Sequence, residues 1–273
     1  MKTLLITISL FFIFNTSWSQ NGRWDVYMAQ YENGPGSTIL NMDLINSAPK
    51  KSLPYLVVTG VTTENCREDG FPQNDEFEKL HDVSDAVEYK IQEVTTFEIV
   101  GTFTYQCERL DYVYVSDTTK IRQKLTEMYN SNFPEYEYYI NIKIDEDWEA
   151  YLKFLYPNEE TQEHMSNIKV VAKLAESGDN LEKARQVDHW LYFKDKKSRK
   201  LFTDAIIKEG FKIESQEKRI DLRLPYQLRI SRTDYVSPNE INTLTLKLRK
   251  QAKEFNGEYD GWETFVLKPE GDL

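Results

Sequence analysis

The chain has 273 residues, of which 40% are hydrophobic and 13% aromatic, a composition typical of a globular protein and not of a disordered or fibrous one. The formal net charge of −11 is unevenly distributed, since residues 20–161 carry a net −14 and residues 162–273 a net +2. This contrast predicts two domains, and because neither part has the large positive excess that contact with phosphates needs, no nucleic-acid partner is expected.

Residues 1–19 are predicted to be a signal peptide. Lys2 precedes an apolar run at 4–14 that is too short to span a bilayer, and serines at 17 and 19 fit a cleavage site after Ser19. No later window holds eighteen consecutive apolar residues, so the mature chain is predicted to have no membrane span. We therefore expect an exported protein, either periplasmic or extracellular.

Cys66 and Cys107 are the two cysteines of the chain, and both lie in its acidic part. In an exported protein an even pair of cysteines is more often oxidised than free, so a disulfide between them is expected. Such a bridge would stabilise the fold by about 4 kcal/mol through the lost entropy of the unfolded chain. The alternative is two buried thiols that never meet.

Residues 20–160 are predicted to form a mixed α+β domain. Period-two alternation of β-forming residues indicates strands, whereas apolar residues at spacings of three and four indicate helices. Three acids at 145–147 suit the dipole of a helix start better than a Ca²⁺ loop. In chain order the prediction places strands at 23–32, 36–45 and 53–61, a helix at 74–93, a hairpin at 97–108 and 110–117, a helix at 118–130, a strand at 136–144 and a helix at 145–157.

Residues 161–186 are predicted to be a polar helical connector, and residues 187–273 a second domain. The order βαββαβ in this domain predicts a ferredoxin-like fold, in which an antiparallel sheet carries both helices on one face and its first strand is internal. The predicted fold class is thus α+β with two domains. The elements of the second domain are predicted at 187–193, 196–209, 211–219, 226–236, 238–255 and 257–265.

Two families are recognisable in these segments. VDHWLYF at 187–193, the SRTDYVSPNEI segment and GEYDGWETF at 257–265 resemble the RraB family, regulators of ribonuclease E activity. WDVYMAQY, GFPQNDEFEKL and DEDWEAYLKFLYP resemble a family of unknown function, domain of unknown function 695. The RraB resemblance implies a protein that acts by binding another protein, with no catalytic residues to transfer. Because the chain is predicted to be exported, we carry over the fold and the binding role and not the inhibition of a cytoplasmic ribonuclease.

The residue types that usually carry chemistry form no recognisable site. His189 shares the apolar face of its predicted strand, which favours a core or rim histidine over a catalytic base. Glu160 and His164 have helical i, i+4 spacing, but no third ligand is in view, so a solvated helix face is favoured. His81 belongs to no motif, and no hydrolase, P-loop or C-x-x-C signature occurs. We predict no catalytic residue, no metal ligand and no cofactor.

An interaction surface is the remaining candidate site. Alternation places three residues on the strand face opposite His189, a face that either binds a partner or packs on the first domain. A basic run follows at the start of the next helix, where positive charge opposes the helix dipole. This run is a patch that binds an acidic partner, a contact with the acidic half of the same chain, or a solvated face. The predicted surface comprises Asp188, Trp190, Tyr192, Lys196, Lys197, Arg199 and Lys200.

The leading function from the sequence is an exported, non-catalytic binding or regulatory protein whose partner is another protein. The alternative is an envelope hydrolase with its site in a cleft between the two domains. A third possibility is an RNA-contacting module that uses the basic run, for which binding to oligonucleotides would depend strongly on salt.

Overall fold

The computed structural model describes residues 22–268, and the predicted signal peptide lies outside the described residues. The described chain forms two compact units, each with its own residues. The N-terminal unit comprises residues 22–25, 39–68 and 72–152. The C-terminal unit comprises residues 26–38, 69–71 and 153–268. Both combine helices with an antiparallel sheet, so the fold is mixed α and β. Among residues 22–268, no helix is both long enough and apolar enough to span a bilayer.

The first sheet has six strands in the order β1-β2-β4-β5-β3-β6. Its central strands are antiparallel, with β3 hydrogen-bonded to β5 on one side and to β6 on the other. The strands are β1 (Trp24–Tyr31), β2 (Gly34–Asn41), β3 (Tyr55–Thr62), β4 (Phe97–Tyr105), β5 (Glu108–Val115) and β6 (Glu137–Ile144).

Two helices, α1 (Phe77–Gln92) and α2 (Ile121–Asn132), pack on one face of this sheet. The apolar residues of α1 recur at three- and four-residue spacings, which places them on a single helix face. That face is buried against alternate residues of β3 and β5, which point to the same side of the sheet. The shared core contains Val57, Val61, Leu80, Val83, Val87, Ile91, Val113, Val115, Ile121 and Leu125.

The helix predicted at 145–157 is instead a short π-helix, Ala150–Leu155. The Asp145 carboxylate accepts hydrogen bonds from the backbone N–H groups of Glu149 and Ala150, at 2.9 and 3.0 Å. Trp148 has a positive φ of 55° within this turn and donates its ring N–H to the Leu53 carbonyl at 3.0 Å. Burial of this indole therefore fixes a turn where the local pattern alone predicted a longer helix.

The predicted disulfide between Cys66 and Cys107 is confirmed, with an S–S distance of 2.09 Å. Gln106 and Cys107 form the two-residue turn between β4 and β5, and both have the positive φ that a hairpin turn of this length requires. The Cys107 carbonyl also accepts from the Thr63 N–H at 3.0 Å. The bridge thus fastens the segment after β3 to the β4–β5 turn.

The second sheet has four antiparallel strands in the order β10-β7-β9-β8. The first of these strands in the sequence, β7, is internal, as predicted. The elements are β7 (Arg185–Phe193), α4 (Lys196–Ile206), β8 (Lys212–Lys218), β9 (Tyr226–Asp234), α5 (Pro238–Glu254) and β10 (Gly257–Glu263).

A further helix, α3 (Glu159–Glu176), precedes β7 and belongs to the same unit. Its residues Val171 and Leu174 join the core formed by the sheet, α4 and α5. Most of α3 lies in the segment predicted as a connector. Because its apolar stripe is buried in this core, α3 covers the same sheet face as α4 and α5.

Candidate interaction surface

The start of α4 is positioned by a side-chain cap. The Asp195 carboxylate accepts from the Ser198 N–H at 2.8 Å, which satisfies one of the donors left open at a helix start. This backbone hydrogen bond, with smaller contributions from neighbouring groups, holds the pKa of Asp195 below its usual range. The cap fixes the first turn of α4 just after the end of β7, with Lys196 and Lys197 exposed to solvent.

Arg199, a member of the predicted surface, points into the unit and not toward solvent. Its side chain is buried, and one terminal nitrogen donates to the Glu217 carbonyl at 2.8 Å and to the Gln227 carbonyl at 2.9 Å. The guanidinium also lies 5.5 Å from the centre of the Tyr226 ring. Arg199 therefore ties α4 to the adjoining ends of β8 and β9, a role that a run of basic letters does not reveal.

The remaining lysines gather at the end of the sheet where β7 and β8 finish and β9 begins. Lys200 pairs with Asp204 at 2.6 Å on the surface of α4. Lys218, at the end of β8, lies 5.6 Å from the centre of the Tyr226 ring. Among residues 22–268, no carboxylate lies within 4.0 Å of Lys196, Lys197 or Lys218. The ammonium groups of these three lysines are consequently without an ion-pair partner in the part of the chain that the structure describes.

Residues 219–225 join β8 to β9 at this same end, and none of them was among the predicted surface residues. The loop is closed by hydrogen bonds from the Arg219 N–H to the Pro225 carbonyl at 2.7 Å and from the Leu222 N–H to the Arg219 carbonyl at 3.2 Å. Ile220 is 85% exposed and Leu222 38% exposed. The available signal was the alternation of charged and apolar residues in RIDLRL, between two predicted strands.

Arg223 of this loop forms an ion pair with Glu258 of β10. In the sheet order, β9 and β7 separate β8 from β10, so the loop extends over the end of the sheet. The closing hydrogen bonds tie the loop to itself, and this exposed ion pair links it to β10.

Asp188, Trp190 and Tyr192 lie on the sheet face opposite the three helices. The Asp188 carboxylate accepts from Arg229 Nε at 3.0 Å, and the Arg229 guanidinium lies 5.0 Å from the centre of the Trp190 ring. The Tyr192 hydroxyl accepts from the Gln227 amide at 2.8 Å. Each of the three side chains is thus held by a neighbour on β9. The seven predicted surface residues therefore divide between this face and the helical side of the sheet.

The GEYDGWE stretch of β10 fastens the strand to the helices. The Trp262 ring N–H donates to the Asn167 side-chain oxygen of α3 at 2.8 Å. Asn167 in turn donates to the Thr245 hydroxyl of α5 at 2.7 Å. Tyr259 is buried and its hydroxyl lies 2.9 Å from Nδ1 of His189. The distinctive residues of this stretch are therefore structural, and Trp262 lines no cluster of potential metal ligands among the described residues.

Comparison with known proteins finds a matching family model for a segment in each half of the chain. Residues 164–264 match the family model described as "Regulator of ribonuclease activity B", RraB. The C-terminal half resembles the RraB family. Residues 22–156 match a family of unknown function, DUF695. Both resemblances predicted from the sequence are confirmed.

A solved structure, described as an unknown protein from Galdieria sulphuraria, is 14% identical to the chain. The match covers 78% of this chain and 99% of that one, with a TM-score of 0.21. None of the curated proteins matches the chain.

His189 lies in the core of the RraB-like half, in agreement with its position on the apolar face of β7. Its ring contacts Phe211 edge-on at 5.8 Å between centres, and Nε2 has no hydrogen-bond partner among residues 22–268. Burial lowers the pKa of His189 to about 4, while Asp234 and Asp188 favour the protonated ring and Arg232 opposes it. The imidazole is therefore neutral at physiological pH.

We expect the RraB-like half to lose stability as the pH falls from about 6.5 to about 4. In the unfolded chain a histidine binds a proton below its ordinary pKa of about 6.5, whereas His189 in the folded protein stays neutral until about pH 4. Protonation thus favours the unfolded state across this window, by about 3 kcal/mol at the acid end. Urea unfolding of the mature chain at a series of pH values measures the slope of the free energy of unfolding against pH.

His189→Gln should reduce that slope, because glutamine keeps a polar group for Tyr259 but does not titrate. His164→Gln makes the same change of residue type on α3 and is the matched control for the substitution itself. His81 also has a pKa lowered by burial, so the comparison between variants isolates the part due to His189. Equal slopes for the wild type and His189→Gln would show that the buried imidazole does not set the acid stability.

Proposed function

We propose that the chain is an exported regulatory protein that acts by binding another protein through its RraB-like half, without catalysis of its own. The observation that carries this proposal is the match of residues 164–264 to a family described as a regulator of ribonuclease activity. A protein that regulates an enzyme does so by binding to it. The end of the second sheet that carries exposed lysines and the exposed Ile220 offers side chains for such binding. The partner need not be a ribonuclease, because the chain is proposed to be exported.

The proposal of export rests on two features. Residues 1–19 have the charge, apolar length and small residues of a signal peptide. The Cys66–Cys107 bridge is a bond that persists in oxidising compartments and is rare in reducing ones. We place the mature protein in the periplasm or outside the cell.

We also propose that the C-terminal half has the ferredoxin-like fold. Numbered within this half, its four strands are paired in the order 4-1-3-2, and two of its helices, α4 and α5, follow the first and third strands. This arrangement leaves one sheet face without helices.

Affinity capture of the mature chain, residues 20–273, tests the binding function. Immobilised protein should retain one exported protein reproducibly from envelope extract, and the purified pair should then form a complex of fixed stoichiometry in solution. The intact mass of the partner should be unchanged after incubation with the chain. Absence of a partner that binds in solution would overturn the proposed function, and cleavage of the partner would favour a hydrolase.

Export has a separate test. The full-length chain is produced in a bacterial host with an intact secretion system, and the mass of the protein from the envelope fraction is measured. Loss of the first nineteen residues is expected. Full-length protein confined to the cytoplasm would contradict export and leave the binding function to be judged on its own experiment.

A further inference from the structure

We infer that the β8–β9 loop and the basic residues beside it form a docking site for an acidic protein segment that carries apolar side chains. This inference rests on the proposed binding function and names the chemistry of its partner. We call the site the loop-end site and define it by Lys196, Lys197, Lys218, Arg219, Ile220 and Leu222.

The first argument is the exposure of apolar side chains on a shaped loop. Ile220 is 85% exposed at the loop, although burial of such an apolar side chain would be favourable. The loop is closed by two backbone hydrogen bonds, and its Arg223 is paired with Glu258. Its exposed isoleucine is thus presented on a loop whose ends are joined by a backbone hydrogen bond, where an apolar side chain can anchor a partner.

The second argument is the sign of the surrounding charge. Lys196, Lys197 and Lys218 have no carboxylate within 4.0 Å among residues 22–268. Arg219 is paired with Asp221 within the loop at 3.6 Å, and both of these side chains are exposed. Charge complementarity therefore favours a carboxylate-bearing partner at this end of the sheet.

The third argument separates an acidic protein from a nucleic acid. Proteins that bind single strands combine positive charge with aromatic rings on which bases stack. The aromatic ring at the start of β9, Tyr226, lies beside the loop-end site and is already engaged by the Arg199 guanidinium and the Lys218 ammonium group. The exposed groups at the loop are aliphatic instead, and aliphatic side chains fit apolar residues of a protein better than they fit bases.

A synthetic peptide of alternating glutamate and leucine is the probe for this site. Its binding to the mature chain is measured by fluorescence anisotropy at low and high salt. We expect saturable binding that weakens with salt, and a loss of about tenfold in affinity for Lys218→Glu and for Ile220→Ser. Arg199 is left unchanged in this series because its substitution would loosen α4.

Matched controls lie at the other end of the same elements. Lys212→Glu places the same charge change at the start of β8, and Ile207→Ser removes an exposed isoleucine just after α4. Both should bind the peptide like the wild type. Folding of all four variants is verified by their urea unfolding midpoints.

Three results would overturn the inference. One is the absence of saturable peptide binding, another is equal loss in the control variants, and the third is a single-stranded oligonucleotide that binds more tightly than the peptide. Affinity capture with a variant chain distinguishes failure of the loop-end site from failure of the proposed binding function. If the double variant Lys218→Glu/Ile220→Ser still retains the partner, the loop-end site is wrong although the binding function stands.

Discussion

The substitution Asp179→Asn is expected to lower the free energy of unfolding of the C-terminal unit by about 3–5 kcal/mol. Asp179 and Arg185 form an ion pair in which both side chains are fully buried. Arg185 also donates to the carbonyl groups of Asn180, Lys183 and Phe265, and Asp179 accepts from the Leu267 N–H at 2.7 Å. Removal of the carboxylate charge leaves a guanidinium that is held in place without a counter-ion. Urea unfolding of the mature chain measures the loss.

An exposed ion pair in the same unit supplies the control. Lys200 and Asp204 are largely solvent-exposed, so Asp204→Asn should change the stability by less than about 0.5 kcal/mol. The double variant Asp179→Asn/Arg185→Met should recover part of the loss, because it removes the uncompensated charge. If Asp179→Asn and Asp204→Asn had the same free energy of unfolding, the Asp179–Arg185 pair would not hold the segment after β10 in place.

Elements whose signals are local could be predicted from the sequence. In α5, apolar residues recur from Ile241 through Leu244 and Leu248, and the structure buries all three on one face. Asp195 is both a preferred cap residue and the observed cap of α4. Periodicity and capping depend on neighbours within a few residues along the chain, which is why they can be read from one sequence.

Features that depend on distant residues could not be predicted in this way. The turn around Trp148 exists because the indole reaches the Leu53 carbonyl, which lies almost a hundred residues earlier in the chain. Most of α3 was predicted only as a polar helical connector, because the burial of its apolar residues against α5 and the sheet is a matter of tertiary packing. Propensity and period give the presence of an element and not its neighbours.

The candidate site illustrates the same limit at the level of side chains. Arg199 and Lys200 are adjacent in a basic run, yet one is buried under β8 and β9 and the other is in water. A helix rotates about 100° per residue, so adjacent letters point to different surroundings. Ile220 was not predicted as a surface residue because it lies between two strands, where the sequence pattern does not indicate which apolar side chains are exposed. Its 85% exposure is known only from the folded loop.

Loss of the disulfide is expected to destabilise the N-terminal unit by about 4 kcal/mol. The bridge joins Cys66 and Cys107 across a sequence separation of 41 residues, and a loop of that length has much entropy in the unfolded chain. The closed loop includes α1 and β4, so its loosening affects the core that these elements share with β5. Urea unfolding of Cys66→Ser/Cys107→Ser against the oxidised wild type measures the difference.

Dithiothreitol separates the bond from the substitutions. Reduction should bring the wild type close to the stability of the double serine variant and leave that variant unchanged. Because the bridge lies in the N-terminal unit, it should not alter peptide binding at the loop-end site under conditions where both proteins are folded. A reduced wild type as stable as the oxidised one would mean that the segment after β3 is held by its hydrogen bonds alone, such as that from the Thr63 N–H to the Cys107 carbonyl.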